Sequence, residues 1–261
     1  MSVFRLEIEY EGTRYSGWQE QKNARTVAGE LRRAAEETIG SAVELGGAGR
    51  TDAGVHALGQ VAHLKSRTKL RPDGLAERLN DLLPPDIHVR SLASAPERFH
   101  ARHDAVSRSY LYQISRRRTA LAKRFVWWVK RPLDEGAMAR GAEILVGRHD
   151  FAAFAEKPEA QSSTVMVVES CELVAEDDLV LFRIVASHFL WKMVRRTVGA
   201  LVELGAGALA ERDIARLVAG GAAPALRPAE WTAPPSGLYL ERVLYRGDRP
   251  LGALRAAVPV R

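Results

Sequence analysis

A glycine-rich stretch, residues 46–64, holds the residues best suited to chemistry. Arg50 and Asp52 lie two positions apart in the loop RTDAG, between segments at 42–46 and 58–65 that have the apolar character of strands. The flanking glycines allow backbone conformations that other residues avoid, and they let a ligand approach the main chain. An ionised carboxylate presented in this way is a nucleophile or a general base, and a nearby guanidinium favours its charged form.

The same residues also fit an ordinary turn. Thr51 and Asp52 are residue types that hydrogen-bond their own backbone in turns, and Arg50 then points to water. From local chemistry alone, both interpretations stay open.

Hydrophobic patterns place the loop inside an α/β unit. The elements predicted for the first half are a strand at 3–11, a helix at 27–39, a helix from Pro72 ended by Pro84-Pro85, and a strand at 87–92. Together with the two strands around Asp52, they predict a unit of ferredoxin-like size.

The second half repeats this mixture of strands and helices. Its predicted elements are a strand at 107–115, a helix at 134–145, a hairpin at 165–175 and 179–187, and a helix at 189–204. On the last helix Lys192, Arg195 and Arg196 have i, i+3 and i+4 spacing, which predicts one polar face. The sequence therefore predicts two related α/β halves, 1–105 and 106–261.

Composition narrows the class of protein. The 261 residues are 46% hydrophobic, enough for a sizeable core, and the net charge of +6 favours an anionic partner. The single cysteine, Cys171, excludes an intramolecular disulfide and a cysteine-rich zinc site. Glu7 and Glu9 stand where a signal peptide needs an apolar run, and no apolar stretch is long enough to span a bilayer. We expect a cytoplasmic protein that is not bound to a membrane.

Further short motifs of distinctive composition occur along the whole chain, in addition to the Asp52 loop. They are Tyr15-Ser16-Gly17-Trp18-Gln19, Arg25-Thr26-Val27, Leu79-Asn80, Leu83-Pro84-Pro85-Asp86-Ile87, Phe99-His100-Ala101-Arg102, Ser109-Tyr110-Leu111-Tyr112, Gly147-Arg148-His149-Asp150-Phe151, 189–199, and Thr232-Ala233-Pro234-Pro235 before Gly237-Leu238-Tyr239-Leu240. In order and spacing the chain resembles the tRNA pseudouridine synthase A family. Ala28 and Trp191-Lys192 depart from that family's usual residues.

The resemblance implies a fold and a reaction. The fold is the pseudouridine synthase fold, of the α/β (α+β) class, in which two ferredoxin-like halves join antiparallel sheets and leave a central cleft. The reaction breaks the N1–C1′ bond of a uridine in the tRNA anticodon stem-loop, turns the uracil and rejoins it through C5. It involves no net redox change, so no cofactor and no metal are expected. The partners implied are tRNA and a second copy of the chain, in a homodimer.

The resemblance also assigns roles to individual residues. Asp52 is the essential carboxylate, and attack at C1′, addition at C6 and removal of the C2′ proton all remain open as its task. Tyr110 contacts the substrate, although a tyrosine in a strand is equally typical of a core. Arg50 pairs with Asp52, and Arg195 contacts phosphate or Asp52. Arg196 has the weaker claim to such a contact, because charged runs on helices usually face solvent.

A non-catalytic RNA-binding module is the main alternative, since basic charge and aromatic residues serve binding equally well. It leaves Asp52 without a task, because a carboxylate facing RNA phosphates weakens binding.

Two other enzyme classes fit less well. His100 and His103 have i, i+3 spacing, and His56 and His63 follow the Asp52 loop, but no HExxH-like motif completes a metal-ligand set. An ordinary glycosidase needs two carboxylates, and the loop carries one.

Overall fold

The computed structural model of the chain describes residues 1–160, 163–220 and 225–260. The elements follow in chain order as β1 (Ser2–Tyr10), α1 (Val27–Ile39), β2 (Glu44–Gly47), β3 (His56–Ser66), α2 (Pro72–Leu82), β4 (Ile87–Ser94), β5 (Ala105–Ser115), β6 (Trp127–Trp128), α3 (Glu135–Ile144), β7 (Gly147–Asp150), β8 (Val165–Glu176), β9 (Leu179–Ala186), α4 (Met193–Gly205), α5 (Glu211–Val218) and β10 (Leu238–Tyr245). Along the described ranges, no helix combines the length and the apolar character needed to cross a membrane.

The chain divides into two compact units. The first contains Met1–Val106 and Tyr239–Asp248, and the second contains Ser107–Leu238 and Arg249–Arg261, whose last residue lies outside the described ranges. The sequence-based division at residue 105 assigned everything after it to the second half. The structure instead returns the chain to the first unit at Tyr239, a step that no local pattern indicates.

The first unit is a sheet backed by two helices. β1 lies between β4 and β3 and is antiparallel to both, and β2 is antiparallel to β3. β10 runs parallel to β3, with Tyr239 opposite His56 and Leu240 opposite Ala57. The helices α1 and α2 pack against each other, with Leu31 and Leu79 among their buried residues. These elements confirm the strand and both helices predicted before residue 92.

Local signals explain the helix ends in this unit. The Thr26 side chain caps α1 by accepting a hydrogen bond from the Gly29 N–H at 3.2 Å, and Gly40 ends the helix in the left-handed conformation at φ 74°. Pro72 begins α2, where its missing N–H costs no hydrogen bond.

The second unit contains an antiparallel sheet in the order β5, β9, β8, β7, and β6 adds to β5 in parallel. The predicted hairpin is confirmed, with Asp177 at φ 50° in the turn between β8 and β9. Helix α3 packs on β8, α4 and α5. The sequence patterns did not predict β6, β7 or α5.

The prediction for the long helix is wrong at its beginning. The helix starts at Met193 rather than at 189, because Lys192 adopts the left-handed conformation at φ 60° and interrupts the helical path. The predicted polar face is also wrong for Arg196, which is buried. Its guanidinium hydrogen-bonds the Ala155 carbonyl at 2.5 Å and pairs with the carboxylate of Glu156.

Candidate active site

The Asp52 loop joins two paired strands of the first unit. β2 pairs with the distal part of β3, with Gly47 opposite Ala62. The pairing continues into the loop, where the Ala48 N–H donates to the Val61 carbonyl at 2.8 Å and the Gln60 side chain donates to the Gly49 carbonyl at 3.0 Å. The loop is therefore anchored at its first residues, and Asp52 follows as a half-buried residue.

Both backbone carbonyls around Asp52 are held in place. The Trp18 N–H donates to the Thr51 carbonyl at 3.1 Å, and the Val55 N–H donates to the Asp52 carbonyl at 3.1 Å. The Thr51 hydroxyl is buried and lies 2.8 Å from the hydroxyl of Tyr10. A carboxylate on a fixed backbone loses little entropy when it meets a substrate, which is what a reacting group requires.

Two glycines before α1 let the chain pass close to this loop. Gly17 has φ +90°, and a Cβ there would lie 2.5 Å from the Thr51 carbonyl oxygen. At Gly12 a Cβ would lie 1.9 Å from the Val55 carbonyl oxygen. Sterics therefore explain why the motif Tyr15-Ser16-Gly17-Trp18 has a glycine, because any side chain at this position would displace the backbone that carries Asp52.

The motifs at residues 15 and 86 meet beside the loop. The Tyr15 hydroxyl donates to the carboxylate of Asp86, and the Tyr15 carbonyl accepts from the Gly54 N–H at 3.2 Å. The guanidinium of Arg25 lies 4.9 Å from the centroid of the Tyr15 ring. Burial, reinforced by the Asp86 carboxylate, raises the pKa of Tyr15 above its usual range. Tyr15 is therefore a neutral donor that ties Asp86 to the loop.

His56 and Tyr239 support the other end of the loop. His56 is buried, and its Nδ1 accepts from the Gly12 N–H at 3.0 Å. Its ring stacks on Tyr239 with centroids 4.9 Å apart. Burial raises the pKa of Tyr239 above its usual range. The sequence pattern indicates His56 only as a candidate metal ligand, because the contacts that reveal its supporting role are made with β10 and with residue 12.

Arg50 differs from expectation. Its side chain is exposed, and among the described residues no carboxylate, including that of Asp52, lies within ion-pair distance of it. The expected pairing of Arg50 with Asp52 is absent from this structure. The exposed guanidinium is instead placed to meet solvent or an anionic ligand.

Tyr110 and Arg195 belong to the second unit. Tyr110 lies on β5 opposite Ile184 of β9, is 8% exposed, and meets the ring of Phe189 edge-on at 4.9 Å. Arg195 is half-buried on α4, and its Nε donates to the Ala233 carbonyl at 2.7 Å. The Ala233 N–H donates back to the Arg195 carbonyl at 3.1 Å. Arg195 therefore holds the Thr232-Ala233-Pro234-Pro235 motif as well as carrying a charge.

The motif Phe99-His100-Ala101-Arg102 is tied to the first unit's sheet through histidines. The Ala101 N–H donates to Nδ1 of buried His63 at 3.1 Å, and Tyr245 donates its hydroxyl to the Ala101 carbonyl at 2.6 Å. The N–H groups of Arg102 and His103 point at Nδ1 of His100, at 3.2 and 3.3 Å. Within the described parts of the chain, no cluster of His, Cys, Asp and Glu is suited to holding a metal ion.

These histidines predict a pH dependence of stability. Burial lowers the pKa of His63, with a further contribution from the charge of His100, and burial with the charge of His103 lowers the pKa of His100. The folded state therefore favours neutral imidazoles, so stability is complete above the unfolded pKa of about 6.5 and is lost as pH falls below it. We expect the melting temperature to fall between pH 7.5 and 5.5.

His100→Asn is the matched variant, because an amide oxygen can still accept the two N–H groups while no longer titrating. Thermal melts of both proteins at several pH values test the effect. An unchanged pH slope in His100→Asn would show that other groups control the stability in this range.

The chain is similar in sequence to known proteins. The family model for tRNA pseudouridine synthase matches residues 7–104 and 142–246. A tRNA pseudouridine synthase A from Syntrophotalea carbinolica is 43% identical over 247 residues, covering 94% of this chain and 97% of that protein. One from Afipia carboxidovorans is 42% identical over 248 residues, covering 94% and 100%. A crystal structure of a Cbf5-Nop10-Gar1 complex has a TM-score of 0.33 at 11% identity over 77% of this chain and 54% of that chain, a likeness too low to support an inference.

Proposed function

Because the chain belongs to the tRNA pseudouridine synthase family, we propose that it isomerises uridine to pseudouridine in the tRNA anticodon stem-loop, at tRNA positions thirty-eight to forty, with Asp52 as the essential carboxylate. The enzyme is an isomerase that acts on tRNA. The observation that carries the role of Asp52 is its half-buried position on a loop whose flanking carbonyls are both hydrogen-bonded.

The reaction makes few demands beyond a carboxylate and a pocket. The target base must leave its stack, which costs a few kcal/mol, and positive charge and aromatic surface offset that cost. Asp52 then acts as nucleophile or base at the nucleoside. Because the reaction rearranges the atoms of one nucleotide without net oxidation or reduction, it requires no redox partner.

The other site residues serve the RNA in this proposal. Tyr110, held edge-on by Phe189, offers its ring to uracil and its hydroxyl to a polar edge of the base. Arg195, whose Nε donates to the Ala233 carbonyl, carries a guanidinium of the kind that binds phosphate or carboxylate. Exposed Arg50 meets the backbone of the flipped nucleotide. The family resemblance further supports a cytoplasmic homodimer.

Incubation with tRNA tests this function. We expect the purified protein, without metal or nucleotide, to form pseudouridine in an unmodified tRNA transcript, and to lose each modification when the corresponding uridine is replaced by cytidine. Mapping of pseudouridine by chemical labelling and primer extension reads out the positions. Modification outside the anticodon arm would contradict the proposed sites. Tight tRNA binding with no modification on any transcript would favour the RNA-binding module instead.

A further inference from the structure

A basic loop of the second unit remains unused by this function. It runs from residue 116 to residue 131, between β5 and α3, and contains seven Lys or Arg residues and no Asp or Glu. The loop follows directly on β5, and its far end returns to that strand, since Trp128 pairs with Ser115 in the sheet and the Val129 N–H donates to the Ser115 carbonyl at 3.0 Å. The position of the loop is therefore fixed by its contacts with the sheet.

Several of its cations are already neutralised. Arg116 pairs with Glu135 at 2.5 Å, Arg117 pairs with Asp178 at 2.6 Å, and Arg131 pairs with Glu203 at 2.5 Å. Arg118, Lys123 and Lys130 are exposed, and in the described part of the chain no carboxylate lies within 4.0 Å of them. Their charges are available to a partner.

Two of these cations line a cavity with an exposed aromatic ring. The cavity has a volume of about 280 Å³. Its lining residues are Arg118, Thr119, Ala120, Lys123, Val126 and Trp128. Trp128 is 40% exposed, although large aromatic residues are usually well buried, and the Arg118 guanidinium lies 5.8 Å from its ring centroid.

We propose that this cavity is a second RNA contact, in which one nucleobase of tRNA stacks on Trp128 and the adjoining phosphate meets Arg118 and Lys123. An aromatic platform beside cations is how proteins hold single-stranded nucleic acid. The volume lies just below the usual range for ligand pockets, about 300–1,000 Å³, and so suits a single base rather than a large ligand.

The position of the cavity separates it from the reacting uridine. Ser115 lies five residues after Tyr110 on β5, which at about 3.3 Å per residue is about 17 Å along the strand. A contact so far from the reacting base binds substrate and transition state equally, so it should lower KM and leave kcat unchanged. This inference rests on the proposed function, because it takes tRNA as the ligand.

Salt dependence distinguishes phosphate contacts from other contributions. The test variant is the double substitution Arg118→Gln and Lys123→Gln. The control is Arg140→Gln with Arg227→Gln, which removes the same charge from arginines that already pair with Glu211 at 2.6 Å and Glu230 at 3.1 Å. For the test variant we expect the slope of log Kd for a tRNA transcript against log salt to fall by about 0.7 to 0.9, since the two cations share one phosphate and each phosphate contact contributes about that amount.

The stacking part of the proposal has its own variants. Trp128→Leu keeps apolar bulk and removes the stacking surface, so Kd and KM should rise about tenfold with kcat unchanged, within the range for loss of one stacked base. Trp128→Phe should restore most of the affinity. Circular dichroism and melting temperature verify that each variant is folded.

The outcomes separate this inference from the proposed function. If the wild-type enzyme modifies tRNA and the Arg118/Lys123 variant matches its control in salt slope, the second contact is wrong and the function stands. If uridine monophosphate binds the wild type but not the variants, while their tRNA affinity is unchanged, the cavity takes a free nucleotide and the RNA contact is overturned. Failure of the wild type to modify any tRNA rejects the proposed function itself.

Discussion

Asp52→Asn is expected to lower kcat on tRNA by at least about a thousandfold, with tRNA affinity unchanged or slightly improved. The amide keeps the size of the side chain but cannot act as nucleophile or base, tasks that supply factors of about 10²–10⁴ or more. Affinity should not suffer, because a carboxylate repels RNA phosphates and its removal relieves that repulsion.

The structure makes this substitution informative. The Thr51 and Asp52 carbonyls receive their hydrogen bonds from Trp18 and Val55, so the loop backbone does not depend on the Asp52 carboxylate for these contacts. The loss of rate can then be assigned to chemistry rather than to a collapsed loop. Single-turnover kinetics and filter binding with the same transcript separate the two quantities.

Asp81→Asn is the matched control for charge. Asp81 is exposed on α2, and the substitution changes net charge by the same amount without touching the Asp52 loop. It should leave kcat and Kd at wild-type values. If the activity of Asp52→Asn were within tenfold of the wild-type activity, the catalytic role of Asp52 would be wrong.

Gly17→Ala is expected to lower kcat by about a hundredfold and to destabilise the fold. A Cβ at residue 17 would lie 2.5 Å from the Thr51 carbonyl oxygen and 3.1 Å from the Asp52 carbonyl carbon, so the loop must move. A displacement of about 1 Å at a reacting group can cost a hundredfold in rate. The positive φ of +90° adds strain of about 1–2 kcal/mol for any residue with a Cβ.

Gly40→Ala isolates the effect of strain. Gly40 also has a positive φ, +74°, but a Cβ there meets no atom within 4 Å. We expect the melting temperature of both variants to be lower than that of the wild type. Only Gly17→Ala should also have a lower activity per folded molecule. Thermal melts and single-turnover rates below both melting temperatures make the comparison. Equal loss of activity in the two variants would mean that strain, rather than displacement of the Asp52 loop, controls the rate.

The supporting contacts of Asp52 come from positions far apart in the sequence. Tyr10, Gly17, Tyr15 and Asp86 act on the loop or on residues that touch it, through a hydroxyl pair, a close backbone approach and a hydrogen-bonded carboxylate. Motifs in the first half that looked separate along the chain thus share one purpose. They position a single carboxylate.

The sequence by itself determined the local elements and the candidate carboxylate. Helix α1 runs over the predicted residues, because an apolar face, the Thr26 cap and the Gly40 stop are signals within a few residues of each other. Glycines between two strand patterns likewise singled out the Asp52 loop. Short-range sterics and hydrogen bonding decide such features, and the order of residues displays them directly.

Tertiary structure alone decided the features that depend on distant partners. The return of β10 to pair with β3 joins residues about 180 positions apart, and Arg196 is buried because Ala155 and Glu156 meet it. Arg50 lacks its expected partner, and Gly17 is required by a carbonyl in another segment. Helical spacing predicts which residues share a face of a helix, but it does not predict which other parts of the chain pack on that face. Burial and ion pairing therefore follow only once the whole chain has packed.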